Sequence, residues 1–195
     1  MKSMIAIAAT AAVAGIASAD TLVVPVNVEW PTSQTGLITT VSFALPDVAS
    51  IDSISIDMAH TWGADLIVGI AGDTNGAIFD LLNENASSTS GNYDLGLVGG
   101  DGSLGNVAPY EFVEVGTPVG SIGAGDFLGG LSGLQANAWT GGALAADNYT
   151  LTIFDTVGGD GGGIGDLTIT YTIPAPGAMA LLGLAGLAGA RRRRA

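Results

Sequence analysis

Four aspartates and one histidine hold most of the chemistry this sequence offers. Asp65, Asp155, Asp160 and Asp166 fall where alternating apolar runs end, or inside the loop Gly158-Gly159-Asp160-Gly161. A hard cation such as Ca2+ takes about six to eight oxygens from carboxylates and turn carbonyls. A fold that converged these strand ends would therefore offer a calcium site. The same side chains can instead cap turns by accepting amide protons, and both readings stand. There is no EF-hand spacing, and the glycine loops are not tandem nonapeptides. A Ser-His-Asp triad needs a histidine base oriented by a carboxylate. The single histidine, His60, ends an apolar parity next to Trp62, the position of a core histidine. With no cysteine in the chain, disulfides, thiolate metal sites and cysteine nucleophiles are excluded. Gly100-Asp101-Gly102-Ser103-Leu104-Gly105 has the letters of G-x-G-x-x-G, but no helical pattern follows and Pro109 comes soon after. It reads as a loop, not a dinucleotide site. The expectation is a chain with no catalytic residues and no cofactor besides Ca2+.

The charges are unevenly placed. The five basic residues are Lys2 and Arg191 to Arg194, and all 18 acidic residues lie between Asp20 and Asp166. The body of the chain can form no Lys or Arg salt bridge. Such a surface repels nucleic acid, whose phosphates need Lys and Arg. Two readings of the acidity remain: adaptation to solubility or salt, and specific binding of divalent cations.

The elements that would position these residues read as strands. Glycine is abundant, at 31 of 195 residues, and long helices are expected only at the two ends. The centre is Ile51 to Ile70. Ile54, Ile56, Met58, His60 and Trp62 share one parity, a polar turn follows at Gly63-Ala64-Asp65, and Leu66, Val68 and Ile70 restart the alternation. That period of two marks two consecutive strands, each with one buried face. Before them, Thr21 to Trp30 alternates around Pro25, which predicts an edge strand. Ile38 to Leu45 turns Val41, Phe43 and Leu45 inward. After them, Ala77 to Leu82 predicts a strand returning on its predecessor, and Tyr110 to Val115 another. Asp126 to Leu134 predicts an irregular loop packed by its leucines, and Trp139 a core plug. Asn148 to Asp155 and Asp166 to Thr172 predict the closing strands, joined by a glycine-rich hairpin loop over 156–165. Seven to nine strands over 20–173 predict an all-β, jelly-roll-like β-sandwich.

The two ends read as addresses. Met1 to Ala19 has a basic start at Lys2, an apolar run and Ala17-Ser18-Ala19 at an A-x-A position. That predicts a signal helix cut by signal peptidase between Ala19 and Asp20. The segment 174–195 begins Pro174-Ala175-Pro176, continues uncharged to Ala190 and ends in Arg191, Arg192, Arg193 and Arg194. As a helix the run from Ile173 spans about 27 Å, near the roughly 30 Å of a bilayer core. The arginines would act as a membrane stop on the cytoplasmic side.

This last segment resembles the bacterial PEP-CTERM sorting signal, with Ala175 where the family's motif has glutamate. The resemblance implies a Gram-negative-type bacterium and an exosortase-like sorting enzyme. It also implies transient anchoring by a C-terminal transmembrane helix, then delivery to the cell surface or an extracellular matrix. Ser53 to Leu66, with His60-Thr61 and Asp65-Leu66, resembles the opening of the P domain (Homo B) of proprotein convertases. Asn148 to Thr172 resembles that domain's closing hairpin. Asp147-Asn148-Tyr149 departs from the family's Gly-x-Trp. The resemblance implies a β-sandwich in which calcium can bind, and a second role as accessory to a separate subtilisin-like protease. The leading expectation is an exported, surface-sorted, non-catalytic matrix, adhesion or binding module. A third is a carbohydrate-binding module for extracellular polysaccharide, for which Trp30 is the one candidate exposed aromatic.

Overall fold

In the computed structural model, the described residues are 17–30, 38–82, 94–97, 102–114, 117–118, 127–128, 130, 133–135, 138–139 and 142–175. Residues 1–16 of the expected signal helix (1–19), the sequence from Pro176 through Arg194 to residue 195, Gly100, Asp101 and the Trp139 side chain lie outside them.

Eight long strands form two four-stranded layers. The strands are β1 (Ser18–Trp30), β2 (Ile38–Leu45), β3 (Ser50–His60), β4 (Leu66–Gly72), β5 (Ile78–Leu82), β7 (Ala108–Val113), β12 (Asp147–Asp155) and β13 (Gly162–Ile173). Five two-residue strands complete the order: β6 (Asp94–Leu95), β8 (Thr117–Pro118), β9 (Phe127–Leu128), β10 (Leu134–Gln135) and β11 (Ala138–Trp139). One sheet runs β1-β13-β3-β7-β10-β8, with β6 and β9 attached at β3, and the other runs β11-β5-β4-β12-β2. The long strands pair antiparallel throughout. The protein is an all-β sandwich.

Alternation decides which side chains fill the space between the sheets. Ile54, Ile56 and Met58 of β3 face Leu66, Val68 and Ile70 of β4, and all are buried, as are Tyr149, Leu151 and Ile153 of β12. Facing sheets interdigitate these rows about 10 Å apart. Tyr149 pairs with Phe43 across β12 and β2, their rings stacked with centroids 5.8 Å apart. Such a pair adds about 0.5–1.5 kcal/mol beyond its area.

The edge position expected from Pro25 is found: β1 ends its sheet. Asn27 has φ 48°, and the pairing with β13 slips between Pro25 and Val28. Pro25 has no N–H to give a second neighbour, so it is tolerated there.

As expected, β3 and β4 are consecutive strands joined by a turn. They belong to different sheets, so the turn at Gly63–Asp65, a single 3-10 turn, carries the chain across the sandwich. Two expectations are corrected. The closing strands do not form a hairpin. β12 pairs with β2 and β4, while β13 pairs with β1 and β3, so the loop after Asp155 is a second crossover between sheets. The last strand also starts at Gly162, not Asp166. A bulge between Ile164 and Leu167 switches parity, so Ile164 and Leu167 both point inward, which a strict period of two forbids.

The first strand of the chain pairs with the last, Ser18 opposite Ile173 and Trp30 opposite Gly162. Ser18 and Ile173 therefore lie side by side at one pole. Trp30, His60, the Gly63–Asp65 turn and the 156–161 crossover gather at the other.

Candidate functional site

The pole opposite Ser18 and Ile173 holds His60, Asp155 and Asp160, the buried polar or charged side chains among the described residues. β1 delivers Trp30, β3 delivers His60, β12 delivers Asp155, and Gly162 opens β13 beneath them. His60 and Asp155 are 0% and 1% exposed and Trp30 is 3% exposed. A Cβ on Gly162 would run into the Trp30 ring and the His60 imidazole, so only glycine lets the two rings pack at this row. Their centroids lie 6.0 Å apart at 45°.

The hydrogen bonds define the imidazole. The Trp62 N–H donates to His60 Nδ1 at 3.0 Å, so the proton sits on Nε2. Nε2 faces Asp155 Oδ2 at 3.7 Å, too long for a hydrogen bond. The other Asp155 oxygen accepts from the Val157 N–H at 3.3 Å. Trp30 Nε1, His60 Nε2 and Asp155 Oδ2 are buried without a hydrogen-bond partner. The indole N–H is near enough to favour the charged carboxylate, yet it misses bonding geometry. Burial pushes the Asp155 carboxyl up and pulls His60 down to about 4. At neutral pH the imidazole is uncharged, with its Nδ1 lone pair already occupied.

Beside them lie Asp65, half-buried, and Asp160, buried. The Asp65 carbonyl accepts from both the N–H and the hydroxyl of Thr156, at 3.0 and 2.9 Å, which ties the crossover loop to the 3-10 turn. Thr61 and Gly161 close the other side, N–H to carbonyl at 3.2 Å and N–H to hydroxyl at 3.3 Å. The Asp65 carboxyl is raised to about 6, by burial first and then by its hydrogen bond with Asp160 and that group's charge. A neighbouring carboxylate disfavours ionisation because like charges in contact repel.

Of the four aspartates singled out from sequence, Asp65, Asp155 and Asp160 thus meet at one pole. Asp166 does not join them. It lies within the β13 bulge between Ile164 and Leu167, where its N–H donates to the Asp57 carboxyl. Among the described residues, no group of three or more His, Cys, Asp or Glu is arranged to hold a metal ion. Asp155 turns its unbonded oxygen toward two N–H groups, not toward the other carboxylates.

At the other pole, β1 runs through Ala19 and Asp20, the positions expected to flank a signal-peptidase cut. Ala19 pairs with Thr172 and Asp20 with Tyr171. Pro174 and Ala175 follow β13 directly, and Pro174 lines an apolar cleft with Pro46, Val48 and Leu144.

Two tryptophans exchange roles relative to expectation. Trp30 is buried, so it is no exposed platform for a sugar ring. Trp62, expected inward, is 48% exposed. β3 stops at His60, and the side chain two residues on belongs to the turn and not to the alternation. Asp147, which the sequence marks only as a departure from Gly-x-Trp, has a structural role that reading did not assign. It accepts from the N–H groups of Thr74 and Asn75, both at 2.8 Å, and from the Thr74 hydroxyl at 3.0 Å. These bonds hold its carboxyl below the usual range. Asn75 in turn donates to the Tyr149 hydroxyl at 2.6 Å. The signal for this clasp was the turn composition Gly72-Asp73-Thr74-Asn75-Gly76, whose free amides need an acceptor. The Gly100–Gly105 letters form no phosphate loop within the described residues: Gly102 takes φ 78° and a single 3-10 turn, Leu104–Asn106, follows.

In comparison with known proteins, the chain matches no family model, and no curated protein matches it.

Proposed function

We propose that the protein is an exported, surface-sorted β-sandwich that works without catalysis as a matrix, adhesion or binding module. The observation that carries this reading is the shared pole of the chain ends. Cutting after Ala19 would remove two rows of the β1–β13 ladder and leave Asp20 opposite Tyr171. The sorting segment would begin at Pro174, one residue past β13. Leader and anchor would thus be trimmed from one face, leaving the core and the far pole untouched. The order of pairing agrees with export: β1 pairs with β13, so this sheet cannot close until β13 has emerged. The non-catalytic part is supported by His60, whose Nδ1 lone pair is spent on a backbone amide and whose Nε2 faces a sealed carboxylate. The jelly-roll-like connectivity, the P-domain kinship and the PEP-CTERM sorting route belong to this reading.

The test is expression of the full chain in a Gram-negative host that has an exosortase. A mature N-terminus at Asp20 and cleavage by protease added to intact cells are expected. A product that keeps Met1 and stays inside the cell overturns the proposal. Carbohydrate binding is a second reading, favoured by exposed Trp62 in place of Trp30. A glycan array whose hits vanish with Trp62→Ala supports it, and an array without hits removes it.

A further inference from the structure

The ends of the two sheets are not equally protected. β8 and β11 are two residues each, too short to template another strand. β1 is long but blunted: it carries Asp20, Pro25 and Glu29 and a bulge with Asn27 at positive φ. These are devices by which edge strands avoid pairing with other chains. β2 has none of them. Its sequence is ITTVSFAL, without charge, proline or glycine, and it pairs with β12 in unbroken register from Leu45 opposite Asp147 to Ile38 opposite Phe154. Among the described residues it has no strand on its other side. Ile38, at its start, is 60% exposed, and Thr40, Ser42 and Ala44 are exposed as well.

We infer that the free edge of β2 is a strand-addition surface whose partner is β2 of a second copy of this chain. Backbone N–H and C=O groups on one side of an edge strand are available to a neighbour. Antiparallel pairing of a strand with itself is two-fold symmetric, so one patch serves both copies. Charge selects the place. With 18 acidic residues and a net charge of −13, most approaches between two copies set carboxylates against carboxylates. β2 is the long edge where the rows that meet carry none. The partner strand would also cover Ile38. Joining the two five-stranded sheets edge to edge gives one continuous sheet through a pair of molecules. The inference stands independently of the export reading.

The test is sedimentation equilibrium of the full chain over a concentration series, at low and at moderate salt. Reversible dimers are expected, and because like-charged copies meet, salt should strengthen the association. A partner of opposite charge would show the reverse. Thr40→Glu and Ser42→Glu place carboxylates on exposed β2 positions and should each weaken dimerisation at least tenfold. Val23→Glu, on exposed β1, should leave it unchanged. Circular dichroism and the thermal midpoint establish that each variant folds. Amide hydrogen exchange of the unmutated chain gives a second readout: protection over 38–45 should rise with concentration. A chain that stays monomeric, an association that survives both β2 substitutions, or one lost with Val23→Glu overturns the inference.

Discussion

His60 Nε2 stands 3.7 Å from Asp155 Oδ2, and neither side chain reaches solvent. A donor and an acceptor face each other across a gap slightly too wide to bond, and the Trp30 N–H completes the set. A buried polar group without its partner costs about 1–3 kcal/mol. Asp155→Ala would leave the Val157 N–H, the indole N–H and Nε2–H with nothing to face, so we expect a loss of about 2–3 kcal/mol by urea unfolding. His60→Phe combined with Asp155→Leu, which removes both partners, should be milder than the sum of the single changes. Additive losses would mean that the two groups do not interact.

Acid should act on this pole in two opposing ways. His60 titrates at about 4 in the fold against 6.5 in the unfolded chain. Its contribution is therefore present above 6.5 and lost as pH falls toward 4. Asp65 titrates at about 6 against 3.8. Its ionisation opposes folding above 6, and that opposition is relieved as pH falls toward 3.8. Over the shared window the two offset each other. Asp65→Asn should steepen the loss of stability between pH 6.5 and 4, and His60→Asn should reverse it into a gain. Parallel pH profiles for all three proteins would contradict the assignment.

Gly162 has the least room of any strand glycine at this pole. Gly162→Ala pushes a methyl group into two packed rings, and overpacking of this kind costs about 1–3 kcal/mol. The expected readout is a lower thermal midpoint with a red-shifted Trp30 emission. Gly76→Ala meets no atoms but sits at φ 71°, so its loss should be smaller and leave the tryptophan signal alone.

The Asp147 clasp should control one turn and little else. Asp147→Ala frees the Thr74 and Asn75 amides, and exchange over 73–77 should accelerate while β3 and β13 keep their protection. Uniform acceleration across the fold would assign Asp147 a global role instead.

Calcium and sodium should act alike. Asp166 stands apart from the polar cluster, and Asp155 aims at N–H groups. At matched ionic strength, calcium chloride and sodium chloride are expected to raise the thermal midpoint equally by screening the 18 acids. A larger rise with calcium, removed by chelator and by Asp65→Asn, would instead establish a defined cation site.

Much of the sandwich was legible because period two is strict where no bulge intervenes. The inward rows of β2, β3, β4 and β12 follow from alternation alone. Legibility failed where geometry changes parity or sheet. The bulge at Ile164–Leu167 hid the first third of β13. Which sheet receives a strand is decided by non-local pairing, so neither crossover could be read locally. The site was half legible. Turn position drew attention to Asp65, Asp155 and Asp160, but Asp166 has the same local look and a different neighbour. Trp30 and Trp62 traded places because a strand's end, unlike its phase, leaves only a weak mark in the sequence.

The pairing of β13 also determines how the protein would carry load. The chain leaves toward Pro174 from a strand with neighbours on both sides, eleven residue pairs to β1 and nine to β3. Tension between a tether beyond Ile173 and something gripped at the far pole runs along β13. Both ladders are then sheared at once, and no row can open before the others. Tension between the chain's own two ends, which lie side by side, would instead peel β1 away row by row. The fold is thus mechanically anisotropic, strong along its length and weak across the pole where both ends emerge.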